Sequence, residues 1–141
     1  MKSIHAIIAA VGITALVACA VSDAGPRTRD VPSYIILGSD TSMITAPDTV
    51  QSGVTFEVRF DTYGGGCTTE GSTFVLGSES DIVLLPMDSE TSADVCSGEL
   101  RVFQHVVQVK TTATGRATVW VKGIDGGRQA AQVTREVIVT P

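Results

Sequence analysis

The sequence predicts an all-β fold, a β-sandwich of about seven to nine short antiparallel strands. Val, Ile and Thr make up 39 of the 123 residues after position 18, and β-branched side chains favour a pleated sheet. No long segment repeats its apolar residues every ~3.6 positions, as an amphipathic helix does. Turn residues instead divide the chain into short apolar runs at the roughly 8–12-residue spacing of sandwich proteins. The length of 141 residues suits one domain.

The N-terminal segment has the features of an export signal. Lys2 is followed by an apolar run from Ile4 to Val17, which only His5 and Thr14 interrupt. A cationic start before an apolar run of this length is typical of a secretory signal peptide. The run is shorter than the ~20 apolar residues of a spanning helix, so a permanent transmembrane helix is the weaker interpretation.

The segment ends in the residues Leu16-Val17-Ala18-Cys19. At all four positions these residues resemble the lipobox of bacterial lipoproteins. The resemblance implies cleavage of residues 1–18, diacylation of the Cys19 sulfur and anchoring to a membrane of the cell envelope. Ala20 at the next position implies the outer membrane if the source is Gram-negative. The alternative is an ordinary secretory signal with a chance cysteine.

Removal of residues 1–18 changes the cysteine count and the charge. Cys19 is taken by the lipid, and loss of Lys2 changes the net charge from −5 to −6. Cys67 and Cys96 remain, and a pair of cysteines in an oxidising compartment predicts a disulfide. This bridge is expected to stabilise the fold by roughly 3–4 kcal/mol. The alternatives are a redox pair or a metal site. The two cysteines do not form the Cys-x-x-Cys motif that is usual for a redox pair, and the mature chain has only one histidine as a further metal ligand.

Domain boundaries follow from the same patterns. Residues 19–33 carry Asp, Gly, Pro and Arg without any periodicity, which predicts a flexible tether behind the lipidated cysteine. The sandwich domain is predicted over residues 34–141. Its clearest strand is Val54–Asp61, where apolar and polar residues alternate as on a sheet with one solvated face. Further strands are predicted at Ser72–Leu76, at Asp81–Leu85 with Pro86 as its end, at Leu100–Thr112, at Ala117–Val121 and at Val133–Val139.

Two details refine these strands. Within Leu100–Thr112 the alternation changes phase, which predicts a β-bulge or break near Phe103–Val106. Ile124–Gly127 contains the Asp-Gly dipeptide of a tight turn. The strands on either side of this turn are therefore expected to form a hairpin.

The order of turns and strands is similar to that of bacterial immunoglobulin-like domains. In that family a Pro-Asp turn leads to a Gly-x-x-Phe-x-Val strand, and a Gly-Arg-Ala-Thr-Val-x-Val strand lies near the end. The matching residues here are Pro47-Asp48, Gly53–Val58 and Gly115–Val121. The resemblance implies an immunoglobulin-like sandwich. Antibody-type domains place a buried Trp between two strand cysteines, whereas Trp120 follows both cysteines, so the disulfide is expected at a loop or edge.

Composition restricts the possible partners. A negative net charge with only 3 Lys argues against nucleic-acid binding. Eight acidic residues and no Lys or Arg lie between Phe60 and Leu100. This predicts a solvated acidic surface, with a patch for a cationic partner or a Ca²⁺ site as the alternatives. No EF-hand loop is present, so no metal and no cofactor besides the lipid is expected.

Three features are candidates for chemistry or contact. His105 is the only histidine after the predicted signal peptide. No Ser and Asp residues are spaced around it as in a known catalytic triad, so no catalytic residue is predicted. The alternative for His105 is a role in a hydrolase or a small-ligand site. Gly64–Gly66 lacks the phosphate-loop pattern and is expected to be a loop that needs positive φ or a close approach of the backbone. Trp120 belongs to the core or to a possible interaction surface, depending on which face of its strand points inward.

The expected function follows from the anchor, the fold and the lack of a catalytic constellation. We expect a non-enzymatic, lipid-anchored envelope protein that contacts another envelope protein or polymer, on the periplasmic side or the cell surface. The alternatives are an accessory subunit of an envelope complex and a small-ligand or Ca²⁺-binding module. A sandwich fold does not choose among these functions.

Overall fold

The computed structural model describes residues 25–37, 44–77, 79–93 and 95–141, and this part of the chain contains nine strands and no helix. The predicted signal peptide, the lipobox and Cys19 lie outside the described residues. The strands are β1 (Thr28–Pro32), β2 (Ile44–Thr45), β3 (Thr49–Gln51), β4 (Thr55–Gly64), β5 (Thr68–Leu76), β6 (Asp81–Thr91), β7 (Arg101–Lys110), β8 (Gly115–Ile124) and β9 (Ala130–Thr140).

The strands form two sheets, which confirms the predicted all-β sandwich. The larger sheet has the order β1-β6-β8-β9-β3, with β5 also paired to β6, and the smaller sheet has the order β2-β4-β7. The predicted antiparallel pairing holds for five of the seven strand pairs, whereas β3–β9 and β6–β8 are parallel. The backbone of Tyr34 bridges Tyr63 in the smaller sheet and Ile124 in the larger sheet, so it joins the two layers.

The core lies between the sheets and follows the predicted alternation. On β4 the side chains of Phe56, Val58 and Phe60 are buried, and Thr55 and Arg59 are exposed. The larger sheet supplies the opposing layer, whose buried members include Ile82, Leu84, Ala117, Val119, Val121, Val137 and Val139. Each fully buried Val, Ile or Phe contributes about 1.5–3 kcal/mol relative to an exposed position, so the facing layers of the two sheets together stabilise the fold.

The predicted tether is wrong over its last residues, because Thr28–Pro32 is strand β1. It pairs antiparallel with the second half of β6, from Thr28 opposite Thr91 to Pro32 opposite Met87. Ser33, which follows the strand, is fully buried. A five-residue strand with little apolar character carries no periodic signal in the sequence, and backbone pairing with β6 fixes it instead.

Strand β6 continues through Pro86, where the sequence predicted its end. β8 pairs with β6 as far as Leu84, and β1 begins to pair with it at Met87. Pro86 therefore lies where the neighbouring strand changes, and its missing N–H leaves no gap in either ladder. Its carbonyl accepts a hydrogen bond from the Ser33 N–H at 3.0 Å.

The predicted bulge near Phe103–Val106 is also wrong, because β7 pairs with β4 without interruption from Arg101 to Lys110. The apparent change of phase arises because the polar His105 occupies an inward position while Val102 and Val106 point outward. The irregularity lies instead in β5, where the register with β6 shifts between Glu70 and Thr73.

The predicted turn at Ile124–Gly127 and the predicted disulfide are confirmed, whereas Gly64 of the predicted Gly64–Gly66 loop is the last residue of strand β4. β8 and β9 form a hairpin, and the Asp125 carboxylate accepts hydrogen bonds from the Gly127 and Gln129 N–H groups, both at 2.9 Å. Cys67 and Cys96 are bonded, with their Cα atoms 5.3 Å apart. The bridge joins the β4–β5 turn to the loop between β6 and β7, so it closes one end of the sandwich rather than crossing the core.

Candidate functional site

The outer face of the larger sheet carries an apolar patch, which we call the outer patch and define by Phe74, Leu76, Val83, Leu85 and Trp120. Phe74 lies opposite Leu85, and Leu76 lies opposite Val83, which is in turn opposite Trp120. Residues in register share a face of the sheet, so the five side chains are neighbours across β5, β6 and β8. Phe74 is 55% exposed and Leu76 is 51% exposed.

Trp120 is the aromatic centre of the outer patch. Its strand neighbours Val119 and Val121 are buried, so Trp120 points outward, as one of the two sequence interpretations required. The indole Nε1–H donates to Asp81 Oδ1 at 3.0 Å, and Lys122 Nζ lies 5.8 Å from the ring centroid. These contacts hold the ring partly buried in one orientation, with one acid and one base at its rim. A fixed, partly exposed Trp is suited to binding another molecule, since little side-chain entropy is left to lose.

Sequence reasoning identified Trp120 but missed the other four members of the outer patch. Their signal is a run of consecutive apolar residues in each strand, Phe74–Leu76 and Val83–Leu85. Such a run means that both faces of the strand are apolar, and a sheet covered on only one side leaves the second apolar face exposed. The cross-strand register that gathers the two runs beside Trp120 is a tertiary feature.

A second cluster, which is polar and buried, surrounds His105. The imidazole is 3% exposed and stacks on the Phe60 ring, with a centroid distance of 4.9 Å. Its Nε2 is 2.8 Å from Thr62 Oγ1, and its Nδ1 is 3.0 Å from Thr73 Oγ1. Glu70 Oε1 lies 3.8 Å from the same Nδ1. Burial lowers the pKa of His105, and the charge of Glu70 opposes this shift without reversing it.

Asp88 faces the same cluster from β6 and is 1% exposed. Burial raises the pKa of its carboxyl group, whereas the Ser33 hydroxyl and the charge of His105 act in the opposite direction. Among the described residues, neither the carboxylate oxygens nor the Ser33 Oγ have a partner of good hydrogen-bond geometry. A buried carboxyl group without such partners favours its neutral form, which needs less solvation.

The cluster therefore brings together a hydroxyl, an imidazole and a carboxyl group, and none of the three is more than 3% exposed. A catalytic group must be reachable by its substrate. Two clefts open at one end of the sandwich, and Ser33, His105 and Asp88 line neither of them. The imidazole forms one hydrogen bond with Thr62 of the smaller sheet and one with Thr73 of the edge strand β5. It therefore connects the smaller sheet to β5. Within the described ranges no three His, Cys, Asp or Glu side chains are arranged to hold a metal ion.

The two clefts open at the end of the sandwich where β1 begins. The first, of about 590 Å³, borders the disulfide and is lined by Arg27, Arg29, Glu90 and Cys96 among others. The second, of about 420 Å³, lies between Tyr34, Tyr63 and the loop that carries Leu100. Gly64 and Gly65 of the predicted glycine loop line it as well. Gly64 ends strand β4, and a side chain there would collide with Phe103 and Thr68, so the predicted close approach of the backbone is found at this glycine.

Compared with family models, with curated proteins and with solved structures, the chain gives no significant match. Among the residues that the structure covers, no helix is both long and apolar enough to cross a bilayer. The function must therefore be inferred from the chain's own sequence and geometry.

Proposed function

We propose that the protein is a non-enzymatic, lipid-anchored component of the cell envelope that binds another envelope protein through the outer patch. The anchor is inferred from the lipobox residues Leu16-Val17-Ala18-Cys19. The observation that carries the binding role is the position of Trp120 beside the half-buried Val83 and Leu85 and the exposed Phe74 and Leu76. In this proposal Cys19 holds the protein at the membrane and the sandwich presents the outer patch.

The chemistry of the outer patch favours a protein partner over a polysaccharide. Leu76, Val83 and Leu85 offer aliphatic surface without hydrogen-bonding groups, which matches the apolar centre of a protein interface. Sugar hydroxyls would need polar partners among these side chains, and the polar groups lie only around the apolar side chains, as Asp81, Lys122 and Thr134 do beside Trp120. Aromatic anchors in an apolar setting with a polar rim are the usual source of binding energy between proteins.

A second candidate is an accessory subunit that joins a larger envelope complex by strand addition. Among the described residues β5 pairs only with β6, so its other edge keeps unpaired backbone groups. Phe74 and Leu76 project from this edge strand into the outer patch. An extended segment of a partner could therefore pair with β5 and cover the outer patch at the same time.

Site-specific photocrosslinking in native membranes tests the binding role. A photoreactive residue at Phe74 is expected to give one dominant adduct with another protein. The same residue at Arg59, an exposed position of the other sheet, serves as the matched control and is expected to give none. Equal adducts at both positions, or none at Phe74 while the protein stays in the membrane, would contradict the proposal.

The anchor is tested separately with a clickable fatty acid and the Cys19→Ala variant. The unaltered chain is expected to incorporate the label and to sediment with membranes, because two or three acyl chains on one residue give stable anchoring. The Cys19→Ala chain is expected to lose the label. Labelling that survives this substitution would show that the lipobox interpretation is wrong.

A further inference from the structure

The end of the sandwich where β1 begins carries exposed apolar side chains, which we call the end surface and define by Ile36, Leu37, Val95, Leu100 and Val102. Val95 is 85% exposed and Leu100 is 67% exposed. These two belong to the loop between β6 and β7, where no regular strand explains an apolar side chain. Exposed aliphatic residues grouped on loops at one end of a domain mark a contact surface.

The end surface is gathered by long-range contacts. The disulfide and a hydrogen bond from the Gly66 N–H to the Ser97 carbonyl at 3.2 Å fix the loop against the β4–β5 turn. The Ile35 N–H bonds to the Ile124 carbonyl at 2.8 Å, which places the neighbouring Ile36 beside the β8–β9 hairpin. Ile36 and Leu100 line the same cleft. The apolar side chains therefore lie on one fixed surface.

The chain between the lipid site and the described domain is short. Six peptide steps separate Cys19 from Gly25, and a trans chain of this length spans at most about 22 Å. The Arg27 carbonyl already accepts a hydrogen bond from the Ser92 N–H at 2.8 Å, so the chain joins the domain at the end surface. Strand β4 is ten residues long, which separates the opposite end by roughly 30 Å. A membrane that holds Cys19 is thus nearest to the end surface.

The end surface carries less negative charge than the rest of the mature chain, so an anionic membrane repels it less. Arg29 and Arg128 both bond to Glu90, at 2.7 Å and 3.3 Å, and leave one positive charge in excess. Arg27 lines the cleft beside them, and Arg101 lies 3.6 Å from Glu99. Asp30 on β1 and Asp125 in the β8–β9 turn bring the described residues of this end to neutrality. The net charge of −6 therefore falls on the rest of the mature chain, which an anionic bilayer repels.

We propose that the end surface is a lipid-contact surface, where Val95 and Leu100 enter the interface between headgroups and acyl chains while Arg27 contacts anionic headgroups. This inference rests on the proposed lipid anchor, which supplies the proximity. The contact fixes the orientation of the sandwich, so that its strands rise from the membrane and the outer patch faces sideways. Several interfacial contacts of this kind add to the binding given by the acyl chains.

Quenching of tryptophan fluorescence by brominated lipids tests the contact. The lipidated Trp120→Phe protein, which then lacks tryptophan, receives either Val95→Trp at the end surface or Val54→Trp beside the opposite end of β4. Each is reconstituted in vesicles of phosphatidylcholine, brominated on its acyl chains, and phosphatidylglycerol. We expect Val95→Trp to lose fluorescence relative to unbrominated vesicles, and Val54→Trp to keep it.

Vesicle flotation in the same samples separates the two proposals. A protein that floats with equal quenching at both positions, or with none at Val95→Trp, overturns the lipid contact and leaves the anchor intact. A protein that does not float overturns the anchor and this inference with it. Leu100→Trp is a second probe at the same surface in case Val95→Trp disturbs the disulfide loop, and it is expected to be quenched as well.

Discussion

Replacing the buried Asp88 by Asn is expected to stabilise the protein at neutral and alkaline pH. The carboxyl group is 1% exposed, and neither oxygen has a hydrogen-bond partner of good geometry among the described residues. An uncompensated buried polar group costs about 1–3 kcal/mol, and more when it is charged. Asn keeps the shape of the side chain and removes the charge, so we expect a gain of about 1–3 kcal/mol at pH 8.

The sign of the pH dependence follows from the raised pKa of Asp88. The folded chain holds the carboxyl proton more tightly than the unfolded chain, whose value is near the ordinary 3.8. The free energy of unfolding of the parent protein therefore falls as the pH rises from about 4 through the raised pKa. The amide of the Asp88→Asn variant does not titrate, so the advantage of this variant is expected to be smallest near pH 4 and to grow toward pH 8.

Urea unfolding followed by Trp120 fluorescence at several pH values measures this difference. The Asp30→Asn variant is the matched control, because Asp30 is exposed and bonds only to the Ser89 hydroxyl among the described side chains. Its effect is expected to stay within about 0.5 kcal/mol at every pH. An Asp88→Asn protein that is equally or less stable at pH 8 would refute the reasoning and show that the carboxylate has compensating partners.

Three further variants test other parts of the fold. The Cys67→Ser/Cys96→Ser double variant is expected to lose roughly 3–4 kcal/mol of unfolding free energy in urea titrations, and reductant should affect only the parent protein. Thr62→Val removes the hydroxyl beside His105 Nε2 and should cost about 1–3 kcal/mol by the same assay; no change would mean that water replaces it. Gly71→Ala places a methyl group against the main-chain carbonyl of Met87 in β6 and should lower the melting temperature, with a cost of about 1–3 kcal/mol. An unchanged melting temperature would mean that the backbone at the register shift of β5 moves to accept the methyl group.

The elements that the sequence predicts correctly are those whose signal is local. β4 alternates along its own length, and the Asp125 turn carries its capping carboxylate within four residues. The disulfide followed from a count of cysteines and from the expected compartment, without any knowledge of the topology. In each case the residues that determine the structure are neighbours in the sequence or form an unambiguous pair.

The errors arise where a distant segment decides the outcome. Thr28–Pro32 is a strand only because β6 offers it an open edge, and Pro86 is tolerated because the partner strand changes beside it. His105 broke the apolar alternation of β7, and a polar residue at an inward position is indistinguishable in the sequence from a bulge. The outer patch depends on the register of three strands, so the apolar runs Phe74–Leu76 and Val83–Leu85 indicate a second apolar face but not its position beside Trp120.

The pairing of β3 with β9 has a consequence for the order in which the protein can fold. Thr49 lies opposite Ile138 and Gln51 lies opposite Thr140, so β3 can enter the sheet only when β9 is present. A nascent polypeptide therefore cannot complete the larger sheet until β9 has been synthesised, and pairings between segments so distant in the sequence also slow folding. Among the described strands, a chain cut before β9 would leave β3 without its partner strand and β8 with one edge open, so such a truncation is expected to leave the larger sheet incomplete.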